Sequence, residues 1–397
     1  MKKRQVYLDN AATTPIDKRV LAVMKPFLTD DFGNPSSFHT PGKVAGDALD
    51  GARKQVADVI GARSDEIIFT SGGTESDNLA ILGFARKNQN QGKHIISTKV
   101  EHPAVLESLE QLEKEGFEVT LLIVDEFGRV SSDDVVTAIR PDTILISIIY
   151  ANNEIGTVNP ISEIGKQIQK NRTGNFPAFH TDACQAAGAL ELNQEKLHVD
   201  LMTVNASKIY GPKGNGALFV KRGLKLQPLQ FGGHQERRVR PGTENVAGII
   251  GFTEALRIAD QQKDEESKRL IKLRDYFICE VQKLIPKTRL NGHPTERLPN
   301  NINISFMDIE GEALTLYLDA KGIYVSTGSA CTSASLDPSH VIVGLSLPYE
   351  VAHGSIRFSL GRSTTKKDLD YVLEFLPELV EKLRKISPVS VDAKYFK

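Results

Sequence analysis

The chain has 397 residues, enough for two packed domains, with 40% hydrophobic and 25% charged residues and a formal net charge of −1. That balance calls for neither nucleic acid nor an anionic membrane, and short basic runs such as Arg237-Arg238 and Lys268-Arg269 lie among acidic residues as solvated faces. No stretch approaches the roughly 18 apolar residues of a membrane span, and three distant cysteines, Cys184, Cys279 and Cys331, make neither a disulfide framework nor a metal site.

The start, Met1-Lys2-Lys3-Arg4 running into Val6-Tyr7-Leu8-Asp9, lacks the apolar core of a secretory signal, so a reducing cytoplasm is the expected location. Apolar residues at Ala45, Ala48, Leu49, Ala52, Val56, Val59 and Ile60 share one helical face and predict a helix from about Gly42 to Ile60. A β-rich run, Glu66–Thr70, leads into Ser71-Gly72-Gly73-Thr74-Glu75-Ser76. Two glycines let backbone approach a ligand, and the helix beginning near Glu75 offers free N–H groups; such a turn suits a phosphate, although the same pattern also serves as a plain turn.

A strand at His94–Thr98, a helix at Ala104–Glu115 and a strand at Val119–Val124 follow. The unbroken apolar run Thr143–Tyr150 predicts a buried strand, and Asn152 and Asn153 at its exit either cap a turn or bond a ligand. After a helix at Ile161–Lys170, the strand Ala178–Asp182 ends in an acid that needs a partner, either a cationic cofactor nitrogen or an arginine. The strand Leu201–Asn205 exits into Ala206-Ser207-Lys208 before Gly211-Pro212-Lys213-Gly214. A lysine there is either a desolvated amine fit for Schiff-base chemistry or a plain surface charge, with Lys213 as a neighbouring rival.

Ala217–Val220 is a further strand, Ala255–Leu284 a long charged helix, and an α+β segment runs from Asn301 to the end. Within it, Val325–Ser335 surrounds Cys331 with small and polar residues, the setting of a loop that presents a thiol. Cys184, in an alanine-rich segment, and Cys279, on a helix face, read as structural. Strands alternating with helices predict an α/β fold with a mainly parallel sheet covered on both faces and ligands beyond the strands' carboxyl ends. The boundary falls in the long helix: a large domain over 16–260, and a smaller α+β domain from 1–15 and 261–397.

Taken in register, these segments resemble the NifS/IscS-type cysteine desulfurases, pyridoxal-phosphate enzymes of the aspartate-aminotransferase-like fold type I. The likeness runs from Tyr7-Leu8-Asp9-Asn10-Ala11-Ala12-Thr13-Thr14-Pro15 to Ile356-Arg357-Phe358-Ser359-Leu360-Gly361-Arg362. It includes Gly33-Asn34-Pro35-Ser36-Ser37, Glu101-His102, Asn152-Asn153-Glu154-Ile155-Gly156, Arg240-Pro241-Gly242-Thr243-Glu244-Asn245 and the Cys331 loop.

The resemblance implies Lys208 as the Schiff-base lysine, Asp182 as partner of the pyridine nitrogen, and His102 as the imidazole over the ring. Gln185 and Asn153 lie near the ring hydroxyl in this reading. Gly73 and Thr74 belong to the phosphate turn with Asn205 and Ser207, and Thr243 crosses from a second subunit, which implies a homodimer. Arg357, with Asn34 and Asn153, matches the clamp on the carboxylate of L-cysteine, and Cys331 the thiol that takes its sulfur as a persulfide.

Three positions depart from the pattern: His234 stands where a glycine is common, and Asn205 and Ser207 stand where the family usually has Ser and His, so a possible imidazolium charge on the phosphate is gone. The sulfur acceptor is expected to be an iron–sulfur scaffold or a tRNA-thiolation enzyme, and the short tail after Ser387 favours the second. Two alternatives stand beside this reading: a selenocysteine lyase of the same fold, and a non-catalytic sulfur-relay or assembly subunit.

Overall fold

The structure is a computed structural model that describes residues 4–327, 338–388 and 390–396. Cys331, together with its immediate neighbours, lies outside the described residues. The chain opens with β1 (Val6–Tyr7) and builds its large sheet from seven strands among the described residues. These are β2 (Ile67–Thr70), β3 (His94–Thr98), β4 (Glu118–Leu122), β5 (Thr143–Ser147), β6 (Ala178–Asp182), β7 (Leu201–Asn205) and β8 (Gly216–Val220). Their order is β2-β8-β7-β6-β5-β3-β4, parallel throughout except for β8, which runs antiparallel to both neighbours.

The central strands are buried along their whole length, as expected of a sheet covered on both faces, while β4 at the edge is partly exposed. The helix predicted from Gly42 begins at Thr40, where His39 Nδ1 accepts from Gly42 N–H and Pro41 sits in the first turn. The Lys18–Thr29 helix was not read from periodicity. It turns Val20 and Met24 inward and leaves Leu21 and Leu28 exposed. The hydrogen-bonded part of β5 stops at Ser147, short of Tyr150. Beyond it the chain still donates from Ile148 N to His180 O and from Tyr150 N to Asp182 O.

A 39-residue helix, Val246–Leu284, links two cores. Its first half, including Phe252, Ala255 and Ala259, joins the core of the large sheet, whereas Leu270, Phe277 and Val281 join a separate apolar cluster. That second cluster covers a four-stranded antiparallel sheet of β9 (Thr288–Asn291), β10 (Asn301–Phe306), β12 (Ser326–Thr327) and β13 (Ser355–Ser359), in the order β12-β13-β10-β9. β1 pairs in parallel with β11 (Ile323–Tyr324), and Leu8 packs into the same cluster, so the N-terminus belongs with the C-terminal core. One C-terminal segment crosses back: Val341, Ile342 and Leu345 pack with the core of the large sheet.

Candidate active site

The carboxyl ends of the parallel strands open into a cavity of about 440 Å³. It collects ten of the residues singled out from sequence: Gly73, Thr74, His102, Asn153, Asp182, Gln185, Asn205, Ser207, Lys208 and Arg357. Asn34, on the exposed turn after the Lys18–Thr29 helix, and Thr243, also exposed, do not line it. Cys331 lies outside the described residues.

Lys208 follows β7 in a loop strapped down by the N-terminal segment. Thr14 donates from its N–H (2.9 Å) and its hydroxyl (3.0 Å) to Ser207 O, Tyr210 N–H donates to Thr14 Oγ1 (2.8 Å), and Asp17 N–H donates to Tyr210 O (3.0 Å). Lys208 Nζ donates to Ala12 O at 2.5 Å, and Gln185 Nε2 to Ala11 O at 2.9 Å. The Asn10-Ala11-Ala12-Thr13-Thr14 stretch is thus the far wall that aims the lysine, although the two share no local sequence signal.

At the end of β6, Asp182 is buried and accepts from Cys184 N–H at 2.9 Å. Behind it stands Asp77, also buried, whose pKa is raised by burial and then by Asp182. His180 lies between β5 and β7 partners, bonded to Ser147 Oγ and Thr203 Oγ1, and burial pushes its pKa down to about 4. It is neutral at working pH and serves packing. Sequence reading missed Asp77 because it is the fifth residue of the Gly73–Asn78 helix, where acids are ordinarily solvated.

His102 caps the Pro103–Lys114 helix: its Nδ1 accepts from Ala104 N–H at 3.1 Å, which places the proton of the neutral ring on Nε2. Burial lowers its pKa; Asp182 opposes that shift, while Lys208 and His340 add to it. The preceding residue, Glu101, is fully buried. Its Oε1 accepts from Thr98 Oγ1 (2.7 Å) and Ile149 N–H (3.0 Å), while Oε2 has no partner among the described residues. Burial raises its pKa to about 8, so it is a protonated acid at neutral pH.

A folded-state pKa above the unfolded value means that the fold holds a proton which the open chain releases, so stability falls as pH rises from about 4.5 towards about 8. Between pH 6 and 8 this one group is expected to remove on the order of 2 kcal/mol. A thermal unfolding midpoint that drops over this interval in the wild type, and drops less in Glu101→Gln, is the expected result. Parallel curves for the two proteins would refute it.

The two asparagines after β5 divide their work. Asn152 caps the turn, accepting from Glu154 N–H and Ile155 N–H and donating to Val100 O, whereas Asn153 lines the cavity. Arg357, on β13 and 2% exposed, donates to Asn153 O and pairs with Asp9, both at 2.9 Å, and its buried Nε has no hydrogen-bond partner among the described residues. A buried guanidinium that lines a cavity and keeps a spare donor is suited to a carboxylate.

The residues fit a pyridoxal phosphate. The turn after β2 needs glycine at Gly72, whose φ of 145° L side chains rarely adopt. A Cβ at Gly73 would meet Cys184 Sγ at 2.9 Å, so the backbone stays bare at the head of the helical run. Asn205 Oδ1 is buried beside it with no partner among the described residues. Lys208, Asp182 and His102 supply an amine, an acid for a ring nitrogen and a flat ring. Lys213 adds a cation on the same wall.

The sequence matches the aminotransferase class-V family over residues 6–372. It is 55% identical, over 392 residues, to the cysteine desulfurase IscS of Dictyoglomus turgidum, covering 99% of this chain and 98% of that protein. Among solved structures it is similar to a NifS-like protein, with a TM-score of 0.90 and 36% identity over 96% of this chain and all of that one. SspA in complex with cysteine gives a TM-score of 0.76 and 35% identity over 90% of this chain and 99% of that one.

Proposed function

This chain belongs to the aminotransferase class-V family and is a pyridoxal-phosphate-dependent cysteine desulfurase, and we propose that Lys208, His102 and Cys331 carry the reaction. The observation that carries the assignment of residues is the one cavity that Lys208, Asp182, His102 and Arg357 all line, the first three from the carboxyl ends of β7, β6 and β3 and the last from within β13.

When bound, the cofactor supplies an electron sink for the substrate Cα. Lys208 would hold it through its amine and then take the Cα proton at Nζ, the strap from Ala12 to Asp17 fixing its reach. Asp182 would sit against the ring nitrogen, and Gln185 and Asn153 near the ring hydroxyl. Gly73, Thr74, Asn205 and Ser207 would grip the phosphate. Arg357 would clamp the L-cysteine carboxylate with Asn153. His102, through the Nε2 that its Nδ1 bond to Ala104 leaves to carry the proton, would exchange the proton of the substrate thiol. The Cys331 thiolate then attacks the substrate sulfur. An S–S bond forms, the substrate Cβ–S bond breaks, and its electron pair stays with the carbon that becomes the methyl of alanine.

Thr243 and Asn34 are exposed in one chain, and Phe32, Phe38 and Phe231 stand out beside them in sequence at 75%, 106% and 87% exposure. This supports a homodimer in which a second copy covers these residues and brings Thr243 to the phosphate. The switch of core partner along Val246–Leu284 supports the division into 16–260 and 1–15 plus 261–397. No described helix is long and apolar enough to cross a membrane, and Cys184 and Cys279 are free thiols. Both facts suit a cytoplasmic enzyme that hands its persulfide to an acceptor protein, an iron–sulfur scaffold or a tRNA-thiolation enzyme.

The test is L-cysteine carrying labelled sulfur, followed by mass spectrometry that maps added sulfur while alanine is quantified. Equal amounts of alanine and of Cys331 persulfide in one turnover are expected; alanine without protein-bound sulfur would refute the assignment of Cys331. The phosphate grip yields a separate expectation. Ser207→His restores a cation, so apo-protein titrated with pyridoxal phosphate is expected to bind roughly tenfold more tightly, the value of one charge-assisted hydrogen bond. Unchanged affinity would mean that Lys213 already supplies that charge.

A further inference from the structure

The segment that carries Cys331 leaves the described structure at Thr327 and rejoins it at Pro338. Its two feet stand on different cores. The first foot is β12, where Ser326 lies opposite Arg357 on β13. The second foot is Ser339, which caps the helix His340–Gly344 by accepting from Ile342 N–H, and that helix packs with the core of the large sheet.

Ser339 is held by a buried acid 185 residues earlier. Its hydroxyl donates to Glu154 Oε2 at 2.5 Å, and the next residue, His340, donates from Nε2 to Glu101 O at 2.9 Å. Glu154 is 2% exposed and lines the active cavity. Its backbone is fixed twice, by Asn152 Oδ1 at its N–H and by Asn303 Nδ2 at its carbonyl. Arg357 donates to the carbonyl of the residue before it, Asn153, at 2.9 Å, and its positive charge favours the ionised form of Glu154. One carboxylate therefore stands between the substrate-carboxylate clamp and the foot of the thiol-bearing segment.

We propose that Glu154 is a positioning residue for sulfur transfer: through Ser339 it fastens the second foot of the Cys331 segment to the wall that carries Arg357. Substrate seated at Arg357 and the incoming thiol then share one frame. The inference rests on the reading of Cys331 as the persulfide carrier.

Burying a carboxylate is costly unless the charge has work to do. Burial raises the pKa of Glu154 to about 7, and the Ser339 hydroxyl and Arg357 act against that rise. A residue that only filled space would serve as well uncharged. Because the hydroxyl of Ser339 also caps a helix, Glu154→Gln is the cleaner probe: it weakens the fastening and leaves the cap intact.

The experiment uses holoenzyme of the wild type, Glu154→Gln, Ser339→Ala, Ser339→Thr and the Glu154→Gln/Ser339→Ala pair. Two quantities are read: the spectral change of the bound cofactor on adding L-cysteine, which reports substrate binding, and the single-turnover rate of persulfide formation on Cys331. The expected result is a transfer rate about 10- to 100-fold lower in Glu154→Gln and Ser339→Ala, the cost of a small misplacement of reacting groups. Apparent substrate affinity is expected to stay within about threefold, and Ser339→Thr, which keeps the hydroxyl, to recover most of the rate. The pair is expected to be little worse than the worse single variant, because both break one link. Transfer within twofold of wild type in both single variants, or losses that multiply in the pair, would overturn the proposal. Wild-type enzyme that makes alanine without sulfur on Cys331 would instead overturn the reading on which it rests.

Discussion

Replacing Lys208 with alanine is expected to stop alanine formation from L-cysteine, with a loss on the order of 10²–10⁴-fold or more, the contribution of a positioned proton-transfer group. The lysine has two proposed tasks, holding the cofactor and moving the Cα proton, and nothing nearby duplicates both. The loop itself should survive. The strap acts through Ser207 O, Tyr210 N–H and Tyr210 O, all backbone atoms that alanine at 208 leaves in place. Circular dichroism is therefore expected to match wild type, and a small amine such as methylamine to restore part of the proton transfer. Borohydride treatment of the wild type is expected to fix the cofactor to Lys208. Label on Lys213, which lines the same wall, or a variant within tenfold of wild-type activity, would assign the amine elsewhere.

The lysine also shows how far local sequence reached. Strands β3, β5, β6 and β7 were legible because a strand buried on both faces must be apolar along its length, and their exits named Asp182, Lys208 and Asn153. The direction of β8 was not legible. Gly216–Val220 would be equally apolar running either way, and only its pairing with β2 and β7, the former about 150 residues away in sequence, sets it antiparallel. The division between Asn152 and Asn153 was left open by composition, since both are equally able to cap a turn; Val100 O and the two N–H groups that Asn152 serves decide it.

Glu154 and Glu101 stayed hidden for a different reason. An acid is read as solvent-facing unless its partners are visible, and theirs are Ser339 for the one and Thr98 with Ile149 N–H for the other. Thr98 is near in sequence but was read only as the end of a strand. The family resemblance placed Arg357 by motif. Its buried setting, between Asp9 and the Asn153 carbonyl, is a fact of the assembled fold alone.

Cys331→Ala is expected to lose the protein-bound sulfur entirely, and neither remaining thiol is placed to replace it. Cys184 lines the cavity, but it is buried against Gly73, and its pKa is raised well above the usual thiol value by burial, then by Asp182 and Asp77. It stays a thiol where the attack needs a thiolate. Cys279 is exposed on the second half of Val246–Leu284 and does not line the cavity. Cys331 itself lies outside the described residues, and the family resemblance gives it the acceptor role. The same variant separates the selenium reading. L-selenocysteine releases selenide without a cysteine nucleophile in a lyase, so a Cys331→Ala protein that loses cysteine turnover about 100-fold or more and also loses selenide release is a desulfurase whose thiol is the acceptor in both reactions. Full selenide release beside unimpaired alanine production from L-cysteine would remove Cys331 from the mechanism. Labelled sulfur appearing on Cys184 would move the acceptor to the floor of the cavity.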